Sequence, residues 1–280
     1  MSTPLRVVSD GPLSIRTVLV PELPGVRVVR YRSDGRLWRS VKDCFSVTMT
    51  STGHAEWWGR GAVRSSTPRT IDLKQHGEVH RDLRRQGPCR FQSIAFEDAL
   101  VTEAWKALGC PAPVQLKRLQ LEREAPEAAA FVRLHALLDE DRAGPEPTLR
   151  LQTALTEALT ALVACFGDGD AAAPGAGGPV GRAREVLHDC MREGVTLESL
   201  AQQVGLNKFH LCRAFRDEVG LPPYAYLTHL RVARARRLLA RGLGPAEVAL
   251  EVGLYDQSQL NRHFKRIVGV TPGQFVRAVR

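Results

Sequence analysis

His54, Glu56, His76, Glu78 and His80 are the side chains in this sequence best suited to hold a divalent ion, because imidazole and carboxylate are common donors for such metals. Along an extended strand His76, Glu78 and His80 would share one face. No matching pair of ligands is visible on a second strand, so no metal is expected. The six cysteines, Cys44, Cys89, Cys110, Cys165, Cys190 and Cys212, never fall in a C-x-x-C spacing. A structural zinc needs ligands clustered tightly enough to close a tetrahedron, and these do not offer one. They read as buried free thiols of a reducing compartment. None lies in a setting that would activate it as a methyl acceptor in DNA repair. Neither catalysis nor a cofactor is expected from these residues.

Charge is more informative. Of the formal net charge of +9, residues 180–280 carry +7, with sixteen basic residues against nine acidic ones. A basic carboxy-terminal third points to a polyanionic partner, although basic surfaces without a function also occur. The longest apolar stretch, near Ala158 to Phe166, is far below the ~20 residues of a membrane span. Met1 to Asp10 lack the basic-then-apolar pattern of a secretory signal. A cytoplasmic chain without membrane contact is the expectation.

The elements that must position these residues follow from periodicity. At 280 residues the chain calls for more than one core. Val26–Tyr31, Phe45–Thr50, Ala55–Trp58, Thr70–Leu73 and Phe91–Phe96 are β-branched or aromatic runs separated by Gly or Pro, the pattern of a small sandwich or closed barrel. Glu97 to Leu108 reads as one helix. Two more are expected between Pro126 and Phe166, the first with Ala129, Val132, Ala136 and Leu137 on its apolar face. The second carries Leu151, Leu155, Ala158, Leu159, Leu162 and Val163. That stripe must be covered by the chain's own sheet or by a second copy, and a homodimer is the favoured expectation. Gly167 to Gly181, rich in Gly, Ala and Pro, reads as a flexible linker.

The last hundred residues contain an internal repeat. Thr196 caps a helix with Leu197, Leu200, Ala201 and Val204 on one face. Gly205 ends it, Leu206 plugs the turn, and Asn207 caps a second helix with Leu211 and Phe215 inward. The pattern returns with Pro245, then Val248, Ala249 and Val252, the breaker Gly253, the plug Leu254, the cap Asp256, and Leu260 and Phe264 inward. Between the copies, Pro222 and Pro223 open a helix from Tyr224 to about Ala240 that spans roughly 25 Å. A helix, a tight turn with Gly and a second capped helix make the helix-turn-helix motif.

Residues Leu197 to Phe275 resemble the AraC/XylS family of bacterial regulators. The likeness rests on S-L-A-Q-Q-V-G-L-N-K-F-H-L-C-R-A-F-R, on R-V-A-R-A-R-R-L-L, and on V-G-L-Y-D-Q-S-Q-L-N-R-H-F-K-R-I-V-G-V-T-P-G-Q-F. The resemblance implies a ligand-responsive regulator of transcription that is not an enzyme, with double-stranded promoter DNA and RNA polymerase as partners. It implies base contacts from Phe209, Cys212 and Arg213 of the first unit and from Gln257, Ser258, Asn261 and Arg262 of the second. Arginine can grip a guanine edge with two hydrogen bonds, and Gln or Asn an adenine edge. Asn207, Lys208, Arg216, Lys265 and Arg266 are placed for phosphates, which set register without reading sequence. Arg231, Arg234 and Arg237 either line the DNA or solubilise the long helix.

More weakly, Arg27 to Glu97 resembles the cupin-like effector domain of AraC relatives, through C-F-S-V-T-M-T-S-T-G-H-A-E-W-W-G and H-G-E-V-H-R-D. That likeness implies a barrel holding a small-molecule effector, with Arg27, His80 and Asp82 as its contacts. A metal-dependent cupin enzyme fused to a DNA-binding domain is the alternative, but the enzymes' pair of histidines one residue apart is missing. The expected fold is an α+β multidomain chain: a cupin-like barrel over 1–110, a helical and dimerising region over 111–166, a linker over 167–179, and an all-α double helix-turn-helix domain over 180–280.

Overall fold

The computed structural model describes residues 8–10, 13–33, 37–110, 115–139, 147–167 and 178–279. Its first half is an antiparallel sheet built from β1 (Val8–Asp10), β2 (Leu13–Leu19), β3 (Val26–Ser33), β4 (Arg39–Val41), β5 (Phe45–Gly59), β6 (Ala62–Ser66), β7 (Thr70–Lys74) and β8 (Val79–Phe96). After α1 (Asp98–Ala107) come β9 (Gln115–Leu116) and β10 (Gln120–Glu122), then α2 (Ala129–Asp139), α3 (Pro147–Ala164) and β11 (Phe166–Gly167). The main sheet runs β1-β2-β3-β8-β5-β7-β10, with β4 on β8 and β6 on β5, while β9 and β11 pair separately. Among the described residues its end strands β1 and β10 do not pair, so the cupin-like sheet is open where a closed barrel was expected. Its curvature comes from the two long strands, β5 and β8, whose register shifts between Thr50 and Thr52, between Thr52 and His54, and between Glu56 and Trp57. Such bulges bend a ladder and strengthen its twist.

The expected helices form, with one change of face. In α2 the buried residues are Phe131, Leu134, His135 and Leu138 rather than the set centred on Ala129 and Ala136. Small alanines on either side of the true stripe leave the register of this helix ambiguous in sequence, and the bulkier side chains win the core. In α3 every residue of the expected stripe is buried, together with Ala154. It packs in one core with the sheet residues Val47, Ile71, Leu73, Ile94 and Phe96 and with Trp105 of α1. The stripe is therefore covered within the chain, and the second copy expected to cover it is not required.

Most of the expected linker lies outside the described residues. Its last part is helical, because Pro179 opens α4 (Pro179–Asp189); proline suits the first helical turn, where its missing N–H is not needed. There follow α5 (Leu197–Gln203), α6 (Lys208–Val219), α7 (Pro223–Ala240), α8 (Pro245–Glu251), α9 (Gln257–Val268) and α10 (Pro272–Val279). The caps are those the sequence predicts. Thr196 Oγ1 accepts from the Ser199 N–H at 3.1 Å, Asn207 Oδ1 from His210 N–H at 2.9 Å, and Asp256 Oδ1 from Gln259 N–H at 2.7 Å. Gly205 and Gly253 take φ of +73° and +75° at the two breaks. At α10 Thr271 and Gln274 cap each other reciprocally, Gln274 N–H to Thr271 Oγ1 at 3.2 Å and Thr271 N–H to Gln274 Oε1 at 2.8 Å. No helix among the described residues is long and apolar enough to cross a membrane.

Candidate nucleic-acid interface and the cavity behind it

On α6 the side chains of Phe209, Cys212, Arg213 and Arg216 recur at i, i+3, i+4 and i+7, so they form one stripe. Leu211 and Phe215, fully buried, hold the opposite side of the helix. Phe209 is 74% exposed, Arg213 and Arg216 are exposed, and Cys212 is half-buried. On α9 the residues forty-nine positions later, Ser258, Asn261, Arg262 and Lys265, form the same stripe over the buried Leu260 and Phe264. Ser258, Arg262, Lys265 and Gln257 are exposed and Asn261 is half-buried. The structure thus presents the base-contact candidates together on two equivalent helix faces.

The phosphate candidates divide. Arg216, Lys265 and Arg266 are exposed, and Arg266 Nη2 lies 3.2 Å from His263 Nδ1. Lys208 is paired with Glu198 at 3.0 Å, and the Asn207 side chain is engaged as a helix cap. Of the long-helix arginines only Arg234 is exposed. Arg231 Nε donates to Met191 O at 2.9 Å and Arg237 Nη1 to Asp43 O at 3.2 Å, so both are structural ties. Tyr255, 88% exposed, was missed by sequence reasoning. Its signal is a change of offset: Gly205 and Gly253 are forty-eight residues apart, Leu211 and Leu260 forty-nine. The extra residue of the second turn is Tyr255.

Behind these helices the sheet meets the helical half in two different ways. Gly77, at φ +77°, offers its carbonyl to Tyr226 Oη and to Arg184 Nη2, both at 3.1 Å. His188 Nε2 also reaches Tyr226 Oη at 3.1 Å. A Cβ on Gly220, the left-handed cap of α6, would run into the ring of Trp58. Trp58 is the partly exposed half of the tryptophan pair, and Trp57 is buried within the sheet. Val41 and Val79 of the sheet belong to the same apolar cluster as Leu211, Phe215 and Tyr226.

The second contact encloses a cavity of about 150 Å³ between the sheet and α7, α9 and α10. His80 and Asp82, two of the three expected effector contacts, line it. Arg27 does not; its guanidinium lies 3.8 Å from Cys44 Sγ. The cations of the wall, Lys42, Lys74, Arg85 and Arg236, were not found from sequence. Asp82 accepts from His80 Nε2 at 2.7 Å, from the Trp38 N–H at 3.0 Å, and from Arg85. Burial alone would raise its pKa, but the hydrogen bond from His80 and the Arg85 charge hold it far below the usual carboxylate range. Burial, reinforced by Lys74, pushes the His80 imidazole down to about 3. Burial and Lys42 push the Lys74 ammonium down to about 7.

The metal candidates are spent on other partners. His76 pairs with Asp98 at 2.5 Å, Glu78 with Arg60, and His80 with Asp82. His76 and Glu78 precede β8, so the three do not share a strand face. Among the described residues no group of three metal-ligating side chains converges. Cys44, with its thiol pushed up to about 12 by burial and by Asp43, is inert.

Residues 200–278 match the family model described as a helix-turn-helix domain. A putative AraC-like transcription regulator of Streptomyces antibioticus is 33% identical over 97 residues, 34% of this chain and 32% of that one. The chain carries an AraC-type helix-turn-helix domain. The HTH-type transcriptional regulator YbfI of Bacillus subtilis is 31% identical over 134 residues, 47% of each chain. The chain thus spans about half or less of the length of these curated relatives. In overall fold it is similar to ToxT from Vibrio cholerae O395, with a TM-score of 0.58 at 12% identity over 92% of this chain and 99% of that one. ToxT with bound unsaturated fatty acid gives 0.56 at 12% identity, over 93% and 98%. A helix-turn-helix domain behind an antiparallel sheet is the architecture of this protein, and its overall fold is similar to that of ToxT.

Proposed function

We propose that this protein is a sequence-specific regulator of transcription that binds promoter DNA, acts on RNA polymerase and responds to a small anionic effector. One observation carries the reading: two exposed helix stripes, equivalent residue by residue, stand at the ends of the 18-residue α7. At ~1.5 Å per residue α7 spans about 27 Å, comparable to the ~34 Å between successive major-groove faces of a duplex. Arg213 and Arg262 occupy matching positions on the stripes, where each can take a guanine edge, while Gln257 and Asn261 suit adenine. Phe209 and Ser258 complete the readers. Arg216, Lys265 and Arg266 take phosphates. In this reading residues 1–110 supply the sheet wall of the effector cavity, the helices of 111–166 back that sheet, 167–179 link, and 180–280 bind DNA.

The cavity between the sheet and the second reading unit supports an effector that acts on DNA binding directly. A ligand there touches α7, α9 and α10, whereas the first unit is held to the sheet by Gly77 and Trp58. Effector binding therefore adjusts the second reading helix against a fixed first one, and its leverage is its preference for one arrangement. ToxT has been crystallised with a fatty acid, which favours a carboxylate as the acidic group. The test is a gel-shift assay on DNA selected by the full chain. Arg213→Ala with Arg262→Ala should reduce the preference for selected over random DNA at least tenfold with the fold intact. Unchanged preference would reject the reading.

A further inference from the structure

Resting on that reading, we propose that the cavity takes a compact, polyhydroxylated carboxylic acid of sugar-acid size, with its carboxylate on Arg85 and Lys74. At about 150 Å³ the space is well below the ~300–1,000 Å³ of pockets for drug-sized ligands, which suits a compact ligand better than a long acyl chain. The sheet floor is a field of hydroxyls from Thr17, Tyr31, Ser40, Thr48 and Ser93. Alternation along β2, β3, β4, β5 and β8 puts them there, since neighbouring residues point to the opposite face, and Thr48 Oγ1 donates to Ser93 Oγ at 2.9 Å. The ceiling from the helical half is apolar over Val232, Ile267, Val270 and Phe275, with His229 and Arg236 beside them. A ring with hydroxyls on one side and C–H groups on the other fits between such surfaces.

The charge of the ligand follows from the walls. Among the described residues Lys42, Lys74, Arg85 and Arg236 line the cavity against the single lining carboxylate of Asp82, which already accepts three hydrogen bonds, while the buried Asp43 stands behind Arg236 and Lys42. The Arg85 side chain is only 3% exposed, and its Nε and Nη1 have no hydrogen-bond partner among the described residues. A buried guanidinium with unspent donors is costly unless an anion meets it. His80 Nδ1 and His229 Nδ1 are likewise buried without partners, and they suit ligand hydroxyls. Lys74 lies 5.2 Å above the Trp57 ring. Around it stand Lys42, Asp72, Asp82 and Arg85 from the sheet, while His229 and Arg236 face the cavity from α7. With its ammonium down at about 7, Lys74 regains a proton when a carboxylate arrives.

Calorimetric titration and thermal shift of the full chain with gluconate, galacturonate and quinate, beside sorbitol, galactose and oleate, test the proposal. At least one of the acids should bind, and its uncharged counterpart at least tenfold more weakly. Arg85→Gln should weaken the acid tenfold or more. At pH 8 the heat of binding should vary with the ionisation enthalpy of the buffer, reporting proton uptake, and Lys74→Met should remove that variation. Lys74→Met also carries the charge test if Arg85→Gln does not fold. Equal binding of the uncharged counterpart, binding of oleate alone, or silence across the panel would overturn the proposal. Failure of the underlying reading looks different: an acid binds as described yet leaves DNA affinity unchanged.

Discussion

The two reading units are near copies in sequence but are built into the molecule differently. The first unit, α5 and α6, shares its apolar core with Val41 and Val79 of the sheet, and the helices that flank it are tied to Gly77 by two hydrogen bonds, from Arg184 of α4 and Tyr226 of α7. The second unit, α8 and α9, closes a core of its own with Leu239, Val248, Leu260 and Phe264, to which no sheet residue among the described residues contributes. Between it and the sheet lies the polar cavity. A repeat whose copies are anchored so unequally gives a ligand a fixed reference and a part to adjust.

Acidification should act on both junctions and have the largest effect. Burial holds His188 at the first junction near 4, and His229 and His80 at the cavity near 4 and 3. The unfolded chain takes up these protons from about pH 6.5 downward while the folded chain does not, so stability is lost as pH falls. The melting temperature at pH 5 should lie about 10 °C or more below that at pH 7. A flat profile would mean that the imidazoles are accessible.

Next in size is a pair of glycine substitutions. Both Gly205 and Gly253 sit at positive φ, which costs an alanine ~1–2 kcal/mol. A Cβ on Gly205 meets open space, whereas one on Gly253 collides with the Met191 and Arg192 carbonyls. Gly253→Ala should therefore cost about 2–5 kcal/mol against about 1 for Gly205→Ala, read by chemical denaturation. Equal costs would remove this difference between the units.

Base readout comes third. Arg213→Ala and Arg262→Ala should each relax a different base position, by ~1–3 kcal/mol, whereas Lys265→Ala should weaken all sequences alike and lower the salt slope by about one. Tyr226→Phe is a smaller perturbation, about 1 kcal/mol. It should speed amide exchange in α6 more than in α9, because Tyr226 packs against Phe215 of α6 and lies outside the core of the second unit. Cys212→Ser should shift stability by less than ~0.5 kcal/mol, the ordinary range for such a site.

What the sequence made legible was what local rules govern. Caps, breakers and the i, i+4 plugs Leu211–Phe215 and Leu260–Phe264 depend on a few adjacent residues, and all appear where their types predict. The reading stripes follow from the plugs by helical geometry. The cavity could not be read this way, since Lys42, Lys74, Arg85 and Arg236 come from four separate segments and meet only through the sheet's pairing. Strand β8 was half hidden because Arg84, Arg85, Gln86, Gly87 and Pro88 have the composition of a turn yet continue the ladder opposite β5. His76 and Glu78 share a strand period with His80, but the turn at Gly77 takes them off it. Alignment of the repeat also hid Tyr255, which only a one-residue change of offset betrays.

Selection of bound sites from random duplex DNA by the full chain would test the twin-reader account most directly. The account predicts two short conserved blocks about one helical turn apart, the block altered by Arg213→Ala being distinct from the one altered by Arg262→Ala. A single block changed by both substitutions, or no enrichment at moderate salt, would contradict it.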